Sequence, residues 1–113
     1  MRKSYFSGLA GEWQAAGVLR RAGCRIVAKR YRAAGGEVDL IARDGETLVF
    51  AEVKYRPSGR PGEGMEAVNG DKRRRLRAAA RVYMNAHGGE DVPVRFDVVE
   101  ITRAGARHVK DAF

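Results

Sequence analysis

One cysteine, Cys24, in 113 residues leaves no partner for an internal disulfide. A chain without that staple suits a reducing compartment, and the expected location is the cytoplasm. No run of about 18 apolar residues occurs, so no membrane-spanning helix is expected. The opening residues, MRKSYFSGLAGEW, begin basic but lack the long apolar core of a secretory signal. His87 and His108 stand apart from each other and from Cys24, which excludes the Cys/His spacing of a zinc site; both read as surface or packing residues. There is no internal repeat, low-complexity tail or sign of a second domain, so residues 1–113 read as one small domain. Acidic charge is scarce as well. Fourteen Asp and Glu against 22 Lys and Arg leave a net charge of +8 and a pI near 10.2. Such an excess attracts polyanions, nucleic acid before an anionic membrane surface.

What is present has a clear order. Leu9, Trp13, Ala16 and Leu19 recur at helical spacing in GLAGEWQAAGVLRRAG, with Ser7 as a cap and Gly23 as a stop. Glu12 lies inside that apolar face, where a carboxylate needs a partner. Arg25 to Arg32 reads as a strand, AAGG as a turn, and Glu37 to Ala42 as the next strand. RDGE carries a hairpin signal, and TLVFAEVKYR returns from it. PSGRPGEG, from Pro57 to Gly64, has the composition of a flexible loop. DKRRRLRAAARVYMNAH reads as a second helix, capped by Asn69 or Asp71 and stopped by Gly88-Gly89. A strand begins near Val94, and ARHVK forms a short edge strand after the turn TRAG. The order α-β-β-β-α-β, with a weak last strand, predicts an α/β fold. Three meandering strands and a helical crossover make a mixed central sheet flanked by helices.

The charges on this frame converge. In LVFAEVKYR, Leu48, Phe50, Glu52 and Lys54 share one side of an extended chain. With Asp44-Gly45 as the hairpin loop, Arg43 faces Glu46, Asp39 faces Phe50 and Glu37 faces Glu52. Asp39 and Glu52 are then diagonal neighbours, roughly 7–8 Å apart at the backbone. Seen alone, Glu52 and Lys54 form the pattern of a surface salt bridge. Asp39 on the adjacent strand and Glu12 in an apolar face favour a site instead. Crowded carboxylates with open positions suit Mg²⁺ or Mn²⁺.

The second helix has two faces. Lys72 is in line with Leu76, Ala79, Ala80 and Tyr83, so its ammonium either snorkels or reaches the site. Arg73, Arg74, Arg77 and Arg81 make a basic stripe on the outer face, which suits phosphate backbones or is simply solvated.

GEVDLIA, VFAEVKYR, the Gly-rich loop, AVNGDKRRRLRAAARVYM, RFDVV and the final DAF together resemble the YraN family of bacterial proteins, from Gly11 to Phe113. The resemblance implies a restriction-endonuclease-like core of the PD-(D/E)xK superfamily, similar to archaeal Holliday junction resolvases. Residue by residue, it matches Asp39 to the acidic position, Glu52 and Lys54 to the E-x-K element, Glu12 to a helix-one glutamate, and Lys72 to the lysine opening the second helix. VD stands here where the motif has PD. By this resemblance Asp39, Glu52 and the Val53 carbonyl bind Mg²⁺, Glu12 assists, and Lys54 orients the attacking water. Lys72, Arg73, Arg74, Arg77 and Arg81 would hold the nucleic acid. The implied function is a metal-dependent nuclease acting on DNA, with branched DNA as a candidate substrate and a homodimer as the working form. The alternatives are a non-catalytic nucleic-acid-binding protein on a nuclease scaffold, or an interaction module for an acidic partner.

Overall fold

β3 runs through the middle of the molecule, and Leu48, Val49, Phe50 and Ala51 along it are all buried. A strand buried on both faces needs cover on both, and two helices supply it. The computed structural model describes residues 2–56, 70–88 and 91–113. Its elements are α1 (Arg2–Arg21), β1 (Arg25–Ala33), β2 (Gly36–Asp44), β3 (Thr47–Arg56), α2 (Gly70–Ala86), β4 (Val94–Thr102) and β5 (Gly105–Val109). The five strands lie side by side in chain order. β1, β2 and β3 are an antiparallel meander, β3 and β4 are parallel across α2, and β5 pairs antiparallel with β4. This is the mixed α/β sheet that the order of elements predicts.

α1 covers one face. Ala15, Ala16 and Leu19 pack against Leu40, Ala42, Val49, Ala51, Val99 and Ile101. Its end is closed by the Cys24 and Gly23 amides donating to the carbonyls of Leu19 and Arg20, at 2.9 and 3.0 Å. Two expectations fail here. The helix begins at Arg2, so Ser7 lies within it and is not its cap. Trp13 is 74% exposed and belongs to no core. Ala15 and Ala16 in the buried stripe let the helix sit closer to the sheet than an indole beneath it would allow. Gly11 is part of that approach, because a Cβ there would stand 2.6 Å from the Cβ of Tyr55.

α2 covers the other face. Leu76, Ala79, Ala80 and Tyr83 pack on Ile41, Leu48 and Phe50, as their spacing predicts. Asp71 lies inside the first turn and pairs with Arg74, so it is not the cap. The Pro57–Gly64 loop, the Asn69 cap and Gly89 fall outside the described residues.

The β2–β3 register also differs from expectation. Asp44 pairs with Thr47 and Ile41 with Phe50, so the loop is Gly45-Glu46 and not Asp44-Gly45. Gly45 takes φ 61° at the first loop position, as in a type II′ turn. Asp44 stays in the strand, where it accepts a hydrogen bond from Arg95 at 2.9 Å. The shift is an even number of residues, so the faces are preserved while the partners change.

At the start of β2 the sheet meets α2. A Cβ on Gly36 would lie 2.3 Å from the Arg75 carbonyl oxygen, which is backbone and cannot swing aside. Gly36→Ala is therefore expected to push α2 from the sheet and cost about 1–3 kcal/mol in urea unfolding. An unchanged midpoint would show that the helix is not held there.

Candidate active site

The pairing of Leu40 with Ala51 brings the next residues outward, Asp39 and Glu52, opposite each other. They are direct neighbours, not the diagonal pair of the sequence reading. Backbone pairing stops at this point. The Val53 amide donates instead to Oδ2 of Asp39, at 2.7 Å. This bond orients the carboxylate and satisfies an amide that the ladder leaves over.

Glu52 and Lys54 do not emerge into solvent at the end of the strand. They are 4% and 8% exposed. The Lys54 ammonium lies 3.2 Å from Oε1 of Glu52, and the Lys72 ammonium reaches the same oxygen at 2.5 Å. Lys72 thus extends from the first turn of α2 into the site. Burial pushes the Lys54 pKa down, and a hydrogen bond with Lys72 lowers it further. For Lys72, burial acts downward but is outweighed by hydrogen bonds to Glu52 and Lys54, so its pKa is raised. Burial, then the charge of Glu52, push Asp39 up to about 7 despite the Val53 hydrogen bond.

A cavity of about 650 Å³ opens onto these groups. Glu37, Asp39, Glu52 and Lys72 line it, with Arg32 and Arg75 on its walls. Arg32 also pairs with Glu37 at 2.6 Å. A smaller recess of about 190 Å³ shares Asp39 and continues to Glu12, Val53 and Tyr55. Glu12 is bound there by Arg30 at 2.8 Å, which answers its need for a partner. Arg75 was not singled out in the sequence reading. Its signal was its place three residues after Lys72, on the same side of α2.

Among the described residues, no three or more His, Cys, Asp or Glu side chains are placed to hold a metal ion together. Glu12 therefore does not join Asp39 and Glu52 in a direct three-carboxylate set. The smaller set still fits Mg²⁺, which commonly takes one or two carboxylates and fills its other positions with water and phosphate. The observation behind this fit is the donor set, with Asp39 and Glu52 opposite each other on adjacent strands and both lining one cavity. Two facing carboxylates resist carrying their charges together, and a divalent cation would relieve that.

The basic stripe is only partly solvated. The Arg73 guanidinium lies 5.4 Å from the Phe113 ring centroid, and that of Arg77 lies 5.6 Å from Phe96. Arg74 pairs with Asp71, and Arg81 is exposed. A second acidic centre, Asp97, escaped the sequence reading. It is fully buried and accepts from Arg95 at 2.9 and 3.0 Å, from the Asp111 amide at 3.0 Å, and contacts His108 Nε2 at 2.7 Å. Burial acts to raise its pKa, but these hydrogen bonds outweigh it and hold the pKa below the usual value. His108 is thus a packing residue with a named partner. His87, stacked on Tyr83 with ring centroids 4.1 Å apart, is another.

Asp39 generates a pH test in chelator. A carboxyl raised to about 7 from 3.8 contributes stability below the unfolded value and loses it as pH rises through the folded one. Asp39→Asn should therefore match the parent near pH 4 and become more stable than it by roughly 1–3 kcal/mol at pH 8. A stability gap that does not change with pH would contradict the raised pKa.

Residues 11–101 match the family described as Uncharacterised protein family UPF0102. A UPF0102 protein of Symbiobacterium thermophilum is 46% identical over 111 residues, covering 94% of each chain. One of Hahella chejuensis is 40% identical over 114 residues, covering 98% of this chain and 92% of its own. One of Anaeromyxobacter dehalogenans is 47% identical over 95 residues, covering 84% and 71%. The matched span runs from Gly11, at the contact of α1 with β3, through Asp39, Glu52, Lys54 and Lys72 to Ile101, and on that match the chain belongs to the UPF0102 family.

Proposed function

We propose that this chain is a metal-dependent nuclease that hydrolyses phosphodiester bonds in DNA, with branched DNA as its substrate class. The observation that carries the reading is the meeting of Asp39, Glu52 and Lys72 at one cavity whose walls carry Arg32 and Arg75, with Lys54 paired to Glu52. A mixed sheet between two helices, with Asp39 on β2 and Glu52-x-Lys54 on β3, supports membership of the PD-(D/E)xK superfamily. Asp39, Glu52 and the Val53 carbonyl would hold Mg²⁺ or Mn²⁺. When bound, such an ion lowers the pKa of a water and neutralises charge on the phosphate.

The chain's own groups do the rest. Lys54, partly desolvated, orients a water at Nζ and offsets charge that develops on the phosphate. Lys72 holds Glu52 in place and adds a second positive charge. Arg32 and Arg75 offer guanidinium forks to phosphate oxygens at the cavity wall. Glu12, held by Arg30 in the adjoining recess, acts through water from the α1 side. Arg74 and Arg81 meet phosphates farther along the backbone.

One observation favours a second reading, a nucleic-acid-binding protein without turnover. The Lys72 ammonium at 2.5 Å already neutralises Glu52, as an ion would. Cleavage of labelled duplex, single-stranded, flap and four-way-junction DNA with Mn²⁺ separates the two. Under the nuclease reading the parent cuts, and Asp39→Asn, Glu52→Gln and Lys54→Ala each lose at least about a hundredfold while remaining folded. Binding without cutting by the parent would establish the second reading and remove the first.

A further inference from the structure

We propose that the groove between α1 and the β4–β5 hairpin binds an unpaired nucleobase stacked on Trp13, with Arg20 and Arg21 on the flanking phosphates. The inference rests on the nucleic-acid reading above and adds which form of nucleic acid the chain selects.

Trp13 is the chain's one tryptophan, and at 74% exposure it is the largest exposed apolar side chain among the described residues. A lone exposed apolar residue means little. Trp13 differs because it forms the wall of a recess of about 450 Å³. Val18, Ile101 and Ala106 contribute apolar surface, Arg20 and Arg21 contribute charge, and among the described residues no acidic one lines the recess. Trp13, Gly17, Arg20 and Arg21 follow at i, i+4, i+7 and i+8, so they share one side of the helix. Gly17 leaves the position beside the indole empty; a Cβ there would meet only the Arg21 guanidinium, at 3.4 Å. The result is an aromatic plane next to two exposed cations, the combination that binds single strands by stacking and phosphate attraction.

Its place suits the proposed chemistry. Ile101 and Thr102 pair with Tyr55 and Arg56, the residues directly after Lys54. Trp13 directly follows Glu12 on α1. The groove is thus at the same end of the sheet as the acidic site, on the α1 side. A base inside a duplex cannot reach an indole face. A base freed at a branch, flap or gap can. A second copy of the chain is a poorer occupant, because a two-fold contact through this groove would gather Arg20 and Arg21 of both copies, four arginines, into one interface.

Trp13 is its own reporter. In chelator, so that nothing is cut, oligothymidylate should quench Trp13 emission as it binds. Trp13→Ala should weaken single-strand binding about 5- to 150-fold and leave blunt-duplex binding unchanged. Trp13→Phe should recover part of the loss. Single-strand binding without quenching, or an equal loss for duplex in Trp13→Ala, would overturn the groove while leaving the nuclease reading intact. A chromatographic dimer with Trp13 emission already shifted to the blue would assign the face to a second copy. Failure of the parent to bind any nucleic acid would overturn both readings together.

Discussion

Two carboxylates facing each other across adjacent strands beneath a helix cost free energy, and much of the fold follows from how Asp39 and Glu52 are accommodated. Asp39 takes the Val53 amide from the backbone ladder. Glu52 takes two ammonium groups, one from its own strand and one from α2. The second requires that α2 lie low on β2, which Gly36 permits by having no side chain beneath the Arg75 carbonyl. Gly11 plays the same part for α1 over Tyr55. The close approach of α2 and the charge balance of the site are therefore one constraint.

Comparison with Asp97 shows why only one acidic centre reads as chemical. Both aspartates are desolvated. Asp97 receives donors from Arg95, His108 and the Asp111 amide, and its pKa falls. It pins the chain end to β4, where Ala112 donates to the Phe96 carbonyl and Phe113 packs near the Phe96 ring. Asp39 has a carboxylate neighbour and faces a cavity, and its pKa rises. Environment, not residue type, separates a structural carboxylate from one poised to change its charge.

Much of this was legible in the residues. Alternation in β3, the helical spacing of Leu76, Ala79, Ala80 and Tyr83, and the crossover helix were enough for the mixed sheet. The meeting of Asp39, Glu52 and Lys54 survived a wrong hairpin loop, because an even shift keeps the faces. Periodicity could not show which turn of α1 faces inward. Alanines and glycines carry little hydrophobic signal, so Trp13 dominated the pattern while Ala15, Ala16 and Leu19 made the contact. Nor could spacing alone pair Glu12 with Arg30, or Asp97 with His108. Those contacts depend on the twist and on a short edge strand whose register no local pattern specifies.

The net charge of +8 also reads differently once the cations have addresses. Arg73 and Arg77 lie against the rings of Phe113 and Phe96, and Arg95 is engaged by Asp44 and Asp97. A guanidinium over a ring keeps its charge and its long-range field, but turning toward a phosphate would forfeit that contact. The stripe on α2 is therefore better suited to drawing a polyanion in than to gripping it. Under the proposed function, gripping would fall to cations beside a concavity, Arg75 at the acidic cavity, where Arg32 is shared with Glu37, and Arg20 and Arg21 beside Trp13. These two places flank the sheet end that carries Glu52 and Lys54. They lie on opposite faces of the sheet, one under α2 and one beside α1, so a nucleic acid contacting both would have to reach around that end, which under the proposed function is the physical reason to look for a branched substrate.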